Sequence, residues 1–357
     1  MRAAVPRGPS FVGMKRPRPQ YVAAGLIGVV GLAVAVLIAV TAILASGNIP
    51  TAPSSYKVQA VHVADAGPEF APYVDGSLYP PFDLVDTAKK TGVKTFTLAF
   101  ITSGGGCTPK WGGTTELDAN PVANQAEALR AAGGDIRVSF GGASGSELGL
   151  ACTSADALTA AYDKVVTAFD LSRADFDIEG AALPDTAANT RRAQAIAALQ
   201  KKHPGLKVSF TLPVLPTGLT QDGVNLVANA KANGVAIDSV NIMAMDYGPP
   251  SSAMGDLAVQ AATSTEGQLR EALGVSSAWS RLAVTPMIGV NDVATETFTL
   301  DDAAQVAAFA SDKGLAWTAM WSANRDKACA GGPKPQADPT CSSIDQEPFA
   351  FTKALAG

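Results

Sequence analysis

The feature that most constrains this 357-residue chain is a regular alternation between short apolar runs and longer amphipathic stretches. The short runs are rich in Val, Ile, Phe and Leu, and their lengths are those of buried strands. The predicted strands are Phe70–Val74, Thr95–Ile101, Ile136–Gly141, Ala174–Ile178, Lys207–Leu212, Ser239–Met245, Leu282–Ile288 and Leu315–Trp321.

Ala-rich stretches with helical spacing lie between most of these strands. The clearest are Pro121–Ala132, Ser154–Phe169, Thr186–His203, Gln221–Asn233, Gln260–Leu273 and Leu300–Lys313. Pro121 is favoured as a first helical residue, and Gly133 and Gly234 as helix ends. Eight strand–helix alternations in about 290 residues predict an α/β fold, a (β/α)8 TIM barrel. A doubly wound sheet gives a similar alternation, usually with fewer strands.

The first 65 residues differ from this pattern. Residues 1–20 carry five basic side chains and no acidic one, and residues 21–45 form an uncharged apolar run. A helix of about 24 residues is roughly 36 Å long, enough to cross a ~30 Å hydrocarbon core. We therefore expect a basic cytoplasmic tail at 1–20, a transmembrane signal-anchor helix at 21–45, a linker at 46–65 and the barrel at 66–357.

The basic flank predicts that the barrel lies outside the cytoplasm, on a single-pass protein of the cell membrane. A long signal peptide cleaved near Ala45 is the alternative, and it would make the protein secreted. Both interpretations export the barrel. The four cysteines lie in loop-like segments without CxxC spacing, which fits disulfides in an oxidising compartment. The favoured pairs are Cys329–Cys341, which closes a short loop, and then Cys107–Cys152.

Composition argues against several classes of function. The net charge is -5, and no basic stripe crosses the main body, so nucleic acid is not an expected partner. His62 and His203 are the only histidines, which leaves no basis for a histidine-ligated metal site. The Gly104–Gly106 run does not precede a helix as a phosphate-binding loop would. We expect a monomer with no metal and no cofactor.

The fourth predicted strand carries the candidate chemistry. Strict alternation places Asp175, Asp177 and Glu179 on one face and Phe176 and Ile178 on the other. The apolar pair suits the helix-covered side of a barrel, so the acids would point inward, with Glu179 at the C-terminal mouth. Burial beside like charges would keep one or more of them protonated, as a general acid requires. An exposed acidic edge strand and a metal site are the alternatives.

This segment resembles the DxxDxDxE signature of family 18 glycoside hydrolases, the chitinases and endo-β-N-acetylglucosaminidases. The last three acids match as Asp175, Asp177 and Glu179, whereas Ser172 stands at the first acidic position. Ser139 and Gly141 lie in a segment similar to the SxGG strand of the family. There, glycines would let the backbone approach the acids closely.

Two later segments continue the resemblance, which covers roughly residues 68–350. Asp246 matches the Asp of an MxYD segment in the sixth strand; Met245 stands at the Tyr position, and Tyr247 follows immediately. Trp321 matches the tryptophan at the end of the eighth strand. In family members this tryptophan forms the floor of the −1 sugar site. The fold implied by the resemblance is again a TIM barrel.

The activity implied by the resemblance is hydrolysis of β-1,4-linked N-acetylglucosamine polymers or oligomers. Glu179 would protonate the leaving oxygen while the acetamido carbonyl of the substrate attacks the anomeric carbon, with retention of configuration. Asp177 would orient the acetamido nitrogen, and Asp246 with Tyr247 would position the acetamido group. A catalytically inactive carbohydrate-binding barrel and an endo-β-N-acetylglucosaminidase that acts on glycans or the cell wall are the alternatives.

Further residues are expected near the mouth because they lie where strands end. Tyr73, Phe100 and Met287 close the first, second and seventh predicted strands, and we expect them, with Met245, to contact substrate. Packing in the core is an equal alternative for Tyr73 and Phe100. Trp111, in a glycine-rich loop, is either a sugar platform or packed by its own loop.

Overall fold

The computed structural model of the protein describes residues 67–356. The expected tail, membrane helix and linker all lie outside these residues. Between residues 67 and 356, no helix is both long and apolar enough to cross a membrane.

The strands of the described residues form a closed parallel barrel with short antiparallel additions. They are β1 (Glu69–Phe70), β2 (Tyr73–Asp75), β3 (Thr95–Ser103), β4 (Pro109–Trp111), β5 (Asp135–Gly141), β6 (Arg173–Asp177), β7 (Lys207–Leu215), β8 (Gly218–Leu219), β9 (Ile237–Ala244), β10 (Leu282–Pro286), β11 (Gly289–Val290), β12 (Thr297–Phe298) and β13 (Trp317–Thr318). Neighbours around the barrel follow the order β1, β13, β10, β9, β7, β6, β5, β3 and β2.

The barrel closes through a first strand that is split into β1 and β2. β1 pairs in parallel with β13, and β2 pairs in parallel with β3. Ala71 and Pro72 separate the two parts but continue the pairing. The Ala71 N–H donates to Thr318 at 2.8 Å, and the carbonyl of Pro72 accepts from Thr97 at 2.9 Å. The predicted (β/α)8 barrel is therefore confirmed.

Helices cover the outside of the barrel within the same residues. They are α1 (Leu84–Thr91), α2 (Ala126–Ala131), α3 (Leu148–Ala151), α4 (Ala155–Ala168), α5 (Thr186–Lys202), α6 (Gln221–Ala232), α7 (Met254–Leu273), α8 (Leu300–Lys313) and α9 (Ala350–Ala356). The six predicted helices are present. Gly133 and Gly234 follow α2 and α6 with φ of 83° and 84°, so their prediction as helix ends is confirmed.

Asn120 caps the start of the helical segment that was predicted to begin at Pro121. Pro121 lies in the turn that leads into a 3-10 helix at Ala123–Gln125, and α2 follows directly at Ala126. The side-chain oxygen of Asn120 accepts from the N–H groups of Val122 and Ala123 at 2.9 and 3.2 Å. Asn120 thus acts as a helix N-cap, because its side chain satisfies N–H groups that a helix start exposes, and its carbonyl accepts from the Asn124 N–H at 3.0 Å. Pro121 is therefore the first residue of the capped segment, although the regular α-helix begins only at Ala126.

An aromatic cluster between the barrel and α4 fixes the orientation of β6. The Phe176 ring stacks on Phe140 at 5.1 Å and meets Tyr162 of α4 edge-on at 5.0 Å. Each of these rings is fully buried, and burial of such a side chain contributes about 1.5–3 kcal/mol. Since side chains alternate along a strand, this outward packing turns Asp175 and Asp177 toward the barrel interior.

Both expected disulfides are present. Cys107–Cys152 links the loop after β3 to the residue that follows α3, and Cys329–Cys341 closes a loop beyond β13. The predicted pairing is confirmed.

Candidate active site

Asp175 forms the base of the site, inside the barrel. Its carboxylate accepts hydrogen bonds from hydroxyl groups on β2, β5 and β7, and it is fully buried. The donors are Tyr73 at 2.9 Å, Ser139 at 2.7 Å, Ser209 at 2.5 Å and Thr211 at 2.9 Å. Both oxygens of the Asp175 side chain therefore have hydrogen-bond partners, which fixes the orientation of the side chain in the barrel interior.

Asp177 lies one step nearer the mouth on the same strand. It is 4% exposed, and its Oδ1 has no hydrogen-bond partner among residues 67–356. Burial raises the pKa of Asp177 well above its ordinary range, and the charges of Glu179 and Asp175 raise it further. Burial and the neighbouring acids thus favour the neutral form of this carboxyl more than in an exposed aspartate, and Oδ1 is left free for a ligand.

Glu179 follows at the mouth, where the strand gives way to a 3-10 turn. Its backbone is extended, with φ −140° and ψ −177°, so the alternation of β6 continues to this residue. Its side chain is partly exposed, and burial of the remainder raises its pKa. The raised pKa keeps the Glu179 carboxyl protonated at higher pH than an exposed glutamate, as a proton donor requires.

Two glycines let β5 pass close to the acids. A Cβ on Gly141 would lie 2.0 Å from the carbonyl oxygen of Asp177, and the φ of Gly141 is 106°. The N–H of Gly142 donates to that same carbonyl at 3.1 Å, and the Phe100 ring packs directly over Gly142. A side chain at either glycine would force β5 and β6 apart or displace Phe100.

A cavity of about 420 Å³ opens above the acids. Asp177 and Glu179 line one wall, and the residues predicted at the strand ends supply much of the rest. These are Tyr73, Phe100, Met245, Asp246, Met287 and Trp321. The Trp321 ring stacks on Phe100 at 5.5 Å and meets Tyr73 edge-on at 6.1 Å, which forms an apolar aromatic surface. Nowhere in residues 67–356 do three His, Cys, Asp or Glu side chains group as metal ligands.

Asp246 and Tyr247 occupy different environments although they are adjacent. Asp246 lines the cavity with φ 53°, accepts from the Val293 N–H at 2.8 Å, and has its pKa raised by burial. Tyr247 is buried and does not line the cavity, and its hydroxyl has no partner in the described chain. Glu296 accepts from the N–H groups of Tyr247 and Gly248, which holds this turn and its tyrosine away from the cavity.

Several site residues were not predicted. Ser209 and Thr211 alternate around Phe210, the same period-2 pattern that identified the acids of β6, so the pattern was present in the sequence. Thr211 also lines the cavity. Asp292 lines the cavity from the loop after β11, where no periodic pattern marks it.

Trp111 packs within its own loop. Its ring is 3% exposed, meets Phe169 edge-on at 5.7 Å, and its indole N–H donates to the carbonyl of Leu117 at 3.3 Å. It does not line the cavity. Of the two interpretations offered for Trp111, the structure agrees with packing.

Comparison with family models gives no match. Two curated protein sequences resemble the chain over 72% of its length. A protein of Escherichia coli strain K12 described as a probable bifunctional chitinase/lysozyme is 36% identical over 283 residues, 31% of its own length. Endochitinase 11 of Metarhizium anisopliae is 36% identical over 286 residues, 52% of its own length. The chain therefore spans about a third of the first relative and about half of the second.

Solved structures give a fuller overlap. The catalytic domain of a hyperthermophilic chitinase from Pyrococcus furiosus is 34% identical, with a TM-score of 0.73 over 81% of this chain and 95% of that one. The catalytic domain of a family GH18 chitinase from a fern, Peteris ryukyuensis, has a TM-score of 0.54 at 16% identity, which shows a common fold.

Proposed function

The chain belongs to glycoside hydrolase family 18, and we propose that it hydrolyses β-1,4-linked N-acetylglucosamine in chitin or its oligomers. One observation carries the proposal. Three acids, Asp175, Asp177 and Glu179, lie on one interior face of the barrel. Asp175 is held in a network of hydroxyl donors, and Asp177 and Glu179 line the open cavity. Chitinase relatives at 34–36% identity support the choice of substrate.

Glu179 is the proposed general acid. Its raised pKa keeps a proton that it donates to the glycosidic oxygen as the bond to the anomeric carbon breaks. The acetamido carbonyl oxygen of the substrate attacks that carbon and forms a cyclic oxazolinium ion. Water then adds to the anomeric carbon as the bond from that carbon to the acetamido oxygen breaks, and the water gives a proton to Glu179, which restores the acid and the acetamido group. The product retains the β configuration.

Asp177 is the proposed partner of the acetamido group. Its Oδ1 is buried at the cavity wall without a protein donor, so it can accept the acetamido N–H. That bond holds the carbonyl oxygen against the anomeric carbon, which is the orientation the attack requires. Asp175, fixed by its hydroxyl donors, supports Asp177 from below.

The remaining cavity residues bind the sugar. Trp321, with Phe100 and Tyr73, presents an apolar surface against which the ring can pack. Met245 and Met287 give the acetamido methyl an apolar environment, and Asp246 offers a carboxyl to the sugar hydroxyls. Because Met245 lines the cavity and Tyr247 does not, we assign the tyrosine no contact with substrate.

We propose that the enzyme acts outside the cytoplasm as a membrane-tethered monomer. The two disulfides are of the kind that persist in oxidising compartments. The uncharged run at 21–45 behind a basic segment supports a membrane anchor. Fractionation of expressing cells tests this: the protein should sediment with membranes and resist extraction by salt.

The test of function is hydrolysis of N-acetylchitooligosaccharides by the purified protein and by Glu179→Gln. We expect the substitution to lower kcat/KM by at least about a hundredfold, because a general acid is removed while its shape is kept. Glu127→Gln is the matched control, since Glu127 is exposed on α2. NMR of the first product should show the β anomer.

Two outcomes would contradict the proposal. Saturable binding of the oligomers without turnover by the parent protein would indicate a carbohydrate-binding barrel. Equal activity of the parent and Glu179→Gln would show that Glu179 is not the acid.

A further inference from the structure

The turn after Glu179 connects the proposed general acid to α5. It covers residues 180–185, and Gly180 is exposed. On the strand side, the Ile178 N–H still pairs with β7 at 3.0 Å. On the other side, the chain folds back through a bond of 3.1 Å from the Ala182 N–H to the Glu179 carbonyl. The place of Glu179 at the mouth therefore depends on how the protein holds this short turn.

Asn189, in the N-terminal half of α5, holds the turn from inside. Its side-chain amide donates to the Leu183 carbonyl at 2.8 Å, and both residues are buried. When the N–H groups of the amide point at Leu183, its oxygen points the opposite way, and that oxygen accepts from Arg192. A guanidinium can only donate, so Arg192 determines which way the Asn189 amide is turned.

Arg192 also forms a buried ion pair with Glu147, which precedes α3. The guanidinium donates to both carboxylate oxygens of Glu147, at 2.5 and 3.2 Å. Arg192 is 1% exposed and Glu147 is 6% exposed. Glu147 accepts in addition from the Leu150 N–H at 3.1 Å. A two-point contact of this kind fixes both the distance and the direction of its partners.

The same part of α5 thus holds the loop that leaves β5 beside the acids. A Cβ on Gly141 would lie 3.6 Å from the Cγ of Glu147, so the ion pair stands directly behind the close approach of β5 to β6. Arg191, the next residue on α5, donates twice to the Gly149 carbonyl, at 2.7 and 3.1 Å. One helix therefore fixes the turn after Glu179 relative to the loop after β5.

The polar character of this network is explained by direction more than by stability. Replacement of a buried ion pair by apolar side chains of similar size is often neutral for stability. An apolar pair, however, could not orient the Asn189 amide toward the Leu183 carbonyl. The network therefore fixes the position of the turn, which burial of apolar groups alone does not do.

We infer that Asn189 and Arg192 are positioning residues for Glu179: they hold the turn that follows it, so that its carboxyl meets the glycosidic oxygen. The inference rests on the proposed function, in which Glu179 is the general acid. Neither side chain lines the described cavity, so both act through the backbone of the turn.

Two substrates with different leaving groups test this role. Cleavage of N-acetylchitotetraose needs a proton on the departing oxygen, whereas dinitrophenolate leaves from dinitrophenyl β-chitobioside without one. Asn189→Ala displaces the acid and leaves the sugar site intact. We expect kcat/KM to fall about tenfold or more for the tetramer and to stay within about twofold for the dinitrophenyl substrate.

Gln200→Ala is the matched control on the same helix. Gln200 lies toward the other end of α5 and donates to the carbonyls of Leu206 and Ala236, at 3.1 and 2.9 Å. Its loss removes bonds of the same kind far from the mouth, so it should lower the melting temperature and leave the ratio of the two kcat/KM values at that of the parent. Glu179→Gln should show the selective loss at its full extent.

A double variant tests the ion pair separately. Glu147→Gln with Arg192→Met removes both charges together, so no buried charge is left without a partner. The Asn189 amide is then free to turn, and we expect the same selective loss for the tetramer. This variant also tests the inference if Asn189→Ala does not fold.

The inference is overturned if Asn189→Ala and the double variant lower kcat/KM equally for both substrates, or lower neither value. A selective loss in Gln200→Ala would overturn it as well, because any weakening of α5 would then suffice. Absence of a selective loss in Glu179→Gln would be a failure of the proposed function, and it is distinct from these results.

Discussion

At the scale of single residues, the site depends on acids that the fold holds in unfavourable surroundings. Asp177 is buried, has two acids as neighbours along its strand, and keeps an oxygen without a partner in the described chain. A structure that existed only for stability would satisfy that oxygen or replace the residue with an apolar one. The free oxygen of Asp177 is accounted for by the proposed function, in which the acetamido N–H of the substrate donates the missing hydrogen bond.

The raised pKa of Asp177 predicts a pH-dependent effect of Asp177→Asn on stability. Between the ordinary aspartate pKa near 4 and the raised folded value, the native protein binds more protons than the unfolded chain, so its unfolding free energy falls as pH rises. Asparagine removes this loss. Asp177→Asn should therefore match the parent near pH 4 and exceed it at pH 7 to 8, by about 1.4 kcal/mol for each unit of pKa shift.

Thermal unfolding across this pH range measures the effect. Asp118→Asn is the control, because Asp118 is exposed and its substitution should leave the difference from the parent independent of pH. A variant that is less stable than the parent at pH 8 would show that the ionised carboxyl of Asp177 stabilises the fold.

At the scale of elements, the close approach of β5 to β6 determines where the acids stand. The two strands pair Gly141 with Asp177, and Phe176 on the opposite face packs against Phe140 and Tyr162. The aromatic side sets the direction of the acids, and the glycine side sets how near the neighbouring strand can come. Both faces of β6 are therefore needed for one site.

Gly141→Ala should damage both stability and activity. Its Cβ would meet the Asp177 carbonyl oxygen at 2.0 Å in a left-handed backbone, so β5 must shift. We expect a loss of at least about 3 kcal/mol of unfolding free energy and a fall in kcat. Gly133→Ala shares the positive φ but meets nothing within 4 Å, so only the strain of about 1–2 kcal/mol should remain. Equal losses in the two variants would disprove a role for the close approach.

The bounds of elements were set partly by contacts between them. α7 begins at Met254, six residues before the predicted start, and the N–H of Gly255 in its first turn donates to Asp302 of α8 at 2.8 Å. The glycine interrupts the apolar period, so the sequence did not indicate this turn. α1, α3 and α9 span four to eight residues each and are too short for a period to be recognised.

At the scale of the whole molecule, the two disulfides restrain loops of very different length. Cys107–Cys152 spans 45 residues and joins a loop at the C-terminal side of the barrel to the outer helical layer. Cys329–Cys341 spans 12 residues, and the Cys341 carbonyl accepts from Arg325, which also donates to Val290. Cys107–Cys152 therefore restrains the chain over a long distance. Cys329–Cys341 orders the short loop whose Cys341 carbonyl contacts Arg325.

Removal of either disulfide by paired Cys→Ser substitutions should lower the unfolding free energy. Loop-closure entropy gives about 4 kcal/mol for Cys107–Cys152 and about 3 kcal/mol for Cys329–Cys341. Guanidinium unfolding of the two double variants measures the difference. A larger loss for the short loop would indicate that the contacts of Arg325, and not chain entropy, dominate there.

The sequence by itself determined the (β/α)8 alternation and the face on which the acids lie, whereas it only favoured the disulfide pairs that the structure contains. These features follow from local geometry: a strand repeats every two residues, so Asp175, Asp177 and Glu179 must share a side, and Phe176 must face away. The glycines of β5 were also evident, because only a residue without a side chain permits close approach of two backbones.

Only the tertiary structure decided which groups from distant strands meet. It brought Ser209, Thr211 and Tyr73 onto Asp175, and it turned Tyr247 away from the cavity while Asp246 lines it. Such distances depend on how the sheet closes and on the turn held by Glu296. The period of one strand carries no information about the register and tilt of another, so the charge balance of the site could be found only in the folded barrel.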